Sequence, residues 1–415
     1  MTTPLASLAR VFGRIGVLSF GGPAAQIALM HRALVEETRW LSERQFLSAL
    51  SFCMLLPGPE AMQLATYAGW RLRGIPGGLV AGTLFVLPGA LVIAALALLY
   101  ARFGAQPETG ALLLGVKAAV IVIVVQALLR LGQKALKTAD AYLLAALSFL
   151  AIFALGLPFP LIIAVAGLWG FLRSRETATD IPPPPANHTA PATLALWAAL
   201  WLLPLPVLWL AGQTLLFDLA AFFARLAVVT FGGAYAVLAY MAQEVVQNRG
   251  WLDATQMVDA LGLAETTPGP LILVTQFVGM LTGHAQGGAG LAILAGLLTL
   301  WMTFVPCFLW IFAGAPYVES LLARPRLQSA LSAITAAVVG VILNLSLWFA
   351  FHVVFTEVAE VPLGPLTLDL PRLDAPRWDA WPLIALAAIM LGPLRRGIPL
   401  TLLVCALAGW GISHL

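Results

Sequence analysis

The chain has 415 residues, 61% of them hydrophobic and 10% charged, and a mean hydropathy of +0.94. Soluble domains carry about 25% charged residues, so this composition excludes a water-soluble protein and describes one that crosses a bilayer many times. A formal net charge of +3 gives nucleic-acid binding no electrostatic basis.

From Leu5 to Leu34 an apolar helical pattern is interrupted by Phe20-Gly21-Gly22-Pro23. Each arm has about fourteen residues, too few to span about 30 Å of hydrocarbon at 1.5 Å per residue, so the pair forms either a re-entrant hairpin or a broken helix. Arg10 and Arg14 interrupt the first arm, which therefore does not read as a signal peptide. After a polar segment from Glu36 to Arg44, the arms Phe46 to Leu56 and Glu60 to Leu72 flank a second break, Pro57-Gly58-Pro59. Four apolar spans follow, near 75–100, 110–130, 140–156 and 159–173. Residues 174–216 hold a linker with Pro182-Pro183-Pro184-Pro185, which favours extended polyproline, and one further span at 193–215. Beyond it come broken pairs at 218–248 and 253–283, then spans near 287–313, 329–351, 381–394 and 398–413.

The second half repeats the first. Phe20 and Phe231 are 211 residues apart (231 − 20), as are Trp40 and Trp251, and Pro57 and Pro268. The same shift pairs Arg14 with Arg225, Ser19 with Thr230 and Gln45 with Gln256; farther on the register slips by about seven residues and Lys117 meets Thr335. The breaks recur as Phe231-Gly232-Gly233-Ala234 and Pro268-Gly269-Pro270. The expected fold is an all-α polytopic membrane protein of two homologous repeats, 1–173 and 217–415, each with two broken pairs and four transmembrane helices. The unpaired span makes the number of crossings before the second repeat odd, which inverts its topology, a common plan among secondary transporters.

Charge follows that plan. With the N-terminus in the cytoplasm, the cytoplasmic loops receive Arg32, Arg39, Arg44, Arg71, Arg73, Arg130, Lys134, Lys137, Arg173, Arg175, Arg324, Arg326, Arg395 and Arg396, and the outer loops only Arg102, Arg249, Arg372 and Arg377.

Non-helical backbone at membrane depth is tolerated where it is buried or lines a cavity. At each break the next arm presents unpaired N–H groups and the positive end of a helix dipole, while glycine admits close approach to the backbone and proline suits the first turn. Four such starts suit a tetrahedral oxyanion. The candidate binding residues are therefore Ser19, Phe20, Gly21, Gly22, Pro23, Pro57, Gly58, Pro59, Thr230, Phe231, Gly232, Gly233, Pro268, Gly269 and Pro270, with Gln63 as a neutral hydrogen-bonding group. Close-packing kinks are the competing reading of each break taken alone.

Lys117 lies in an apolar span with no counterion nearby in sequence, which makes it either a substrate contact or a snorkelling side chain. Arg14 and Arg225 either attract anions or anchor their arms at the headgroups. Glu60 and Glu265 flank the two Pro-Gly-Pro breaks and are candidates for proton coupling, Glu60 alternatively being a dipole-favoured helix start. Cys53, Cys307 and Cys405 read as packing residues. No zinc-site, phosphate-loop or nucleophile-elbow motif occurs, so no catalytic residue, metal or cofactor is expected.

Phe20-Gly21-Gly22-Pro23, Arg39-Trp40-Leu41, Leu56-Pro57-Gly58-Pro59-Glu60, Phe231-Gly232-Gly233-Ala234-Tyr235 and Glu265-Thr266-Thr267-Pro268-Gly269-Pro270 resemble the two-domain chromate ion transporter family over nearly the whole chain. The resemblance implies a multi-pass protein of the bacterial inner membrane that expels chromate using the proton motive force and confers chromate resistance. It implies chromate or a related oxyanion, protons and the lipid bilayer as partners, with a homodimer open as the assembly. Transport of sulfate or another tetrahedral oxyanion, and a passive anion channel, are the alternatives to chromate export.

Overall fold

The computed structural model describes residues 3–174, 191–231, 233–322, 324–363 and 366–414. Pro182 to Pro185, Gly232 and Arg175 lie outside them. The first repeat contributes α1 (Leu5–Leu18), α2 (Gly22–His31), α3 (Glu43–Cys53), α4 (Glu60–Phe103), α5 (Pro107–Ala135), α6 (Ala139–Phe153) and α7 (Phe159–Arg173). After α8 (Pro191–Leu202) and α9 (Pro204–Leu210) come α10 (Thr214–Val229), α11 (Ala234–Ala242), α12 (Ala254–Glu265), α13 (Val274–Gly314), α14 (Val318–Leu322), α15 (Pro325–Val354), α16 (Ala380–Leu391) and α17 (Ile398–Ile412). Among the described residues five helical stretches are long and apolar enough to cross a membrane: α4, α5, α8 with α9, α13 with its flanking turns, and α15. The shorter apolar helices α6, α7, α16 and α17 accompany them.

The breaks fall where the glycines and prolines place them, and the repeat extends to backbone detail. A π-helical turn follows α2 at Arg32–Glu37 and α11 at Gln243–Asn248, in the same 211-residue register. Next comes a capping box in each repeat: Ser42 accepts from the Gln45 amide and Gln45 reaches back to Ser42, as Asp253 and Gln256 do. Each box satisfies two of the amide donors a helix start leaves open. Both long helices α4 and α13 kink one repeat apart. Arg73 and Gly74 have φ of −146° and 61°, and Gly287 and Gly288 have −152° and 66°. At each kink the second arm of the later broken pair folds back on the following span: a Cβ on Gly69 would collide with the Gly77 carbonyl oxygen, and one on Gly283 would lie 2.7 Å from that of Leu291. Pro59 precedes α4 directly, whereas a 3₁₀ turn, Leu271–Leu273, separates Pro270 from α13. Those residues begin the register slip read from the sequence.

One element is absent from the sequence reading. The segment assigned to an outer loop holds an antiparallel hairpin, β1 (Val358–Leu363) with β2 (Leu366–Pro371), in which Glu360 pairs with Asp369 and Val361 with Leu368. The alternation of Leu366, Leu368 and Leu370 with Thr367 and Asp369 is the period-two signal of a strand.

The chain forms two compact units, each built from three segments. Unit 1 comprises Met1–Leu98, Ser174–Ala234 and Thr267–Gln328; unit 2 comprises Leu99–Arg173, Tyr235–Thr266 and Ser329–Leu415. In unit 1, α13 packs against α10 and α8. In unit 2, α5 is central and packs against α17, α16 and α12. Gly115 lets α5 approach the Cys405 carbonyl of α17 so closely that a Cβ would collide with it, the small-residue packing of membrane helices.

Candidate functional site

Unit 1 brings the four breaks together. The helices before the first break of each repeat end alike: Ser19 (φ −83°, ψ 67°) and Thr230 (φ −75°, ψ 80°) sit in the inverse γ-turn region. The next amide bonds back two residues in both cases, Phe20 to Leu18 at 3.0 Å and Phe231 to Val229 at 2.9 Å. This leaves the carbonyls of Ser19 and Thr230 free to accept from elsewhere. The Gly58 N–H donates to the Thr230 carbonyl at 2.9 Å, and the Gly269 N–H donates to the Ser19 carbonyl at 2.8 Å. Each Pro-Gly-Pro break is therefore bonded to the Gly-Gly break of the other repeat, reciprocally.

Glycine is required at the centre of both Pro-Gly-Pro turns. Gly58 has φ 118° and Gly269 φ 87°, a region that residues with a Cβ avoid. A Cβ on Gly58 would also lie 2.8 Å from Gln63 Nε2 and 3.1 Å from Cys307 Sγ. Gln63 is fully buried; its Nε2 donates to the Pro57 carbonyl at 2.7 Å and its amide to the Pro59 carbonyl at 3.1 Å, so it ties both sides of the turn to the start of α4. The second turn is held from α2, where Gln26 donates from Nε2 to the Gly269 carbonyl at 2.7 Å.

Around these bonds lie the helix starts. Gly21, in the left-handed region, caps α2, with Gly22 and Pro23 in its first turn. Glu60 is the first residue of α4, and a Cβ on Gly233, just before α11, would lie 3.9 Å from Glu60 Oε1. Ser19 Oγ and Gln63 Oε1 are buried without a hydrogen-bond partner among the described residues. Pro268 to Pro270 are buried. Arg14 pairs with Glu37 at 3.1 Å with both side chains largely exposed, and Arg225 is exposed.

Unit 2 holds Lys117 and Glu265. Lys117 has the counterion its own span lacks: Nζ lies 2.9 Å from Asp259 Oδ1 on α12, an ion-pair distance without hydrogen-bond alignment, and both residues are buried. The Tyr100 hydroxyl donates to Asp259 Oδ2 at 2.7 Å. The Tyr235 hydroxyl likewise donates to Glu265 Oε1 at 2.9 Å. The ammonium without a counterion in its own span is thus paired across helices, as a buried charge generally is.

The sequence profile described as Chromate transporter matches residues 6–171 and again residues 217–410. The chain belongs to the chromate transporter family. As a member of it, the chain is 30% identical over 411 residues to the chromate transport protein of Pseudomonas aeruginosa, covering 96% of this chain and 90% of that one. It is 31% identical to the chromate transport protein of Cupriavidus metallidurans, covering 88% and 87%. The probable chromate transport protein of Synechococcus elongatus is also 31% identical, covering 81% and 82%. No solved structure matches. In this chromate transporter family chain, sequence reasoning missed Asp259, Tyr100 and Gln26. Asp259, a carboxylate within the apolar run from Met257 to Leu263, was the signal that stood in plain view.

Proposed function

We propose that the chain exports chromate across the bacterial inner membrane, with its N-terminus in the cytoplasm and its second repeat inverted relative to the first. The observation that carries the reading is the reciprocal pair of bonds, Gly58 to Thr230 and Gly269 to Ser19, which gathers four helix breaks in one unit of a chain whose relatives are chromate transport proteins. A reciprocal exchange between equivalent positions is what a local two-fold relation between repeats produces. The amides at the starts of α2 and α4, the Ser19 hydroxyl and the side-chain amide of Gln63 are the groups that hold the oxyanion, through helix dipoles and hydrogen bonds.

Export has a driving force in the membrane potential. Moving one elementary charge across it is worth about 2.3 kcal/mol per 100 mV, so a dianion leaving an inside-negative cell gains about 4.6 kcal/mol, or about three orders of magnitude in concentration. Glu60 and Glu265 add proton coupling to this electrical term.

Everted membrane vesicles carrying the protein test the reading. Chromate accumulates in them when the lumen is made positive, saturably and with competition by sulfate only at higher concentration. Vesicles that accumulate no chromate under an imposed potential contradict export. Equal competition by sulfate points to a general oxyanion transporter, and non-saturating currents at fixed voltage to a channel.

A further inference from the structure

Unit 2 contains a buried charge pair that the oxyanion site in the breaks does not use. Lys117 on α5 is 7% exposed and Asp259 on α12 is 4% exposed, with Nζ and Oδ1 2.9 Å apart. Gly262, three residues past Asp259, sets the close approach: a Cβ there would meet Val116 Cγ1 at 3.3 Å and Lys117 Cγ at 3.8 Å. Tyr100, whose hydroxyl holds Asp259 Oδ2, is only partly buried, which leaves one side of the pair closer to the surface. A small cavity walled by Val120, Leu261 and Glu265 lies on the same two helices, and neither member of the pair lines it.

The repeat supplies a comparison inside the chain. In their respective registers Lys117, in the first repeat, corresponds to Thr335, and Asp259, in the second, to Ser48, so each charged residue has a hydroxyl residue as its counterpart. Two buried charges contribute little net stability over an uncharged pair, because desolvation offsets their attraction. The charge of the pair therefore needs a reason other than holding α5 to α12.

We propose that Asp259 is a positioning residue that competes with the transported oxyanion for Lys117. The inference rests on the oxyanion-transport reading above. With the anion absent, Asp259 neutralises the ammonium. When the anion arrives it takes the place of the carboxylate on Nζ, and the Tyr100 hydroxyl keeps the displaced carboxylate. The return of Asp259 then expels the anion. Such competition trades affinity for release: a lone ammonium in a low-dielectric setting binds a dianion tightly and gives it up slowly.

The test is the concentration dependence of chromate flux in proteoliposomes at fixed potential, for wild type, Asp259→Asn, Lys117→Gln and the double variant Lys117→Thr with Asp259→Ser. Removing the competitor lowers the apparent KM about tenfold and lowers the maximal rate with it, whereas removing the ammonium raises KM about tenfold. The double variant reaches the membrane at wild-type level and keeps the high KM. A merely structural pair predicts the reverse pattern: both single variants lose folded protein alike, and the double variant regains wild-type flux and KM. Either KM shifts of the same sign in the two single variants or a wild-type KM in the double variant overturns the proposal. Where a single variant fails to fold, Tyr100→Phe decides, since it removes only the hydroxyl that holds the displaced carboxylate: a raised KM supports the exchange and an unchanged one overturns it. Wild-type protein that moves no chromate would overturn the transport reading instead, so the two failures are distinct.

Discussion

At Gly58 three requirements meet in one residue: φ of 118°, an N–H given to Thr230, and no room for a Cβ beside Gln63. Gly58→Ala is expected to cost about 1–3 kcal/mol from the backbone strain alone, read as a lower unfolding midpoint in detergent, and to abolish chromate flux. Gly22→Ala is the control, because it shares the positive φ (76°) but its Cβ would meet nothing within 4 Å. An alanine at Gly58 that transports normally would remove the turn from the mechanism. The two carboxylates carry a separate expectation: Glu60→Gln and Glu265→Gln reduce proton-dependent flux while chromate binding persists, and equal loss of both counts against a coupling role. At this scale the breaks were legible because glycine and proline act through steric rules confined to their own turn. The Lys117–Asp259 pair was not, since it joins residues far apart in the chain whose meeting depends on how α5 packs on α12.

Among the elements, the turn between α2 and α3 and its counterpart between α11 and α12 are copies. Each has a π turn, an amide of Trp40 or Trp251 bonded to Leu34 or Val245 at 2.8 and 2.9 Å, a positive φ at Arg39 or Gly250, and a capping box. Gln45 and Gln256, matched in sequence by register alone, turn out to be the N3 partners of those boxes. Ser42→Ala and Asp253→Ala should each cost about 1 kcal/mol of stability while leaving chromate flux intact. Loss of flux in fully folded protein would instead place these turns in the transport path. The π turns and the β1–β2 hairpin were not read from the sequence. A π turn differs from an α-helix by one residue in a hydrogen-bonding ladder, which leaves no compositional trace, and the hairpin's short alternation is overshadowed by the acidic, proline-rich loop around it.

For the whole molecule, the two halves visible in the sequence and the two compact units are different divisions, since each unit draws segments from both halves. Periodicity and matched registers reveal the first division; only packing reveals the second. The distribution of arginine and lysine predicts the orientation: a cysteine placed at Lys134 is labelled by an impermeant thiol reagent from the cytoplasmic face, and one at Arg372 from the outer face, in a chain cleared of Cys53, Cys307 and Cys405. Labelling of both from one side contradicts the inverted arrangement. Whether the gathered breaks hold the oxyanion is decided by a structure determined with chromate bound. Chromate density is expected within hydrogen-bond distance of backbone amides from at least two breaks, beside Ser19, Gly58, Thr230 and Gly269. Density at Lys117 or elsewhere with none at any of the four breaks would show that the breaks do not hold the oxyanion.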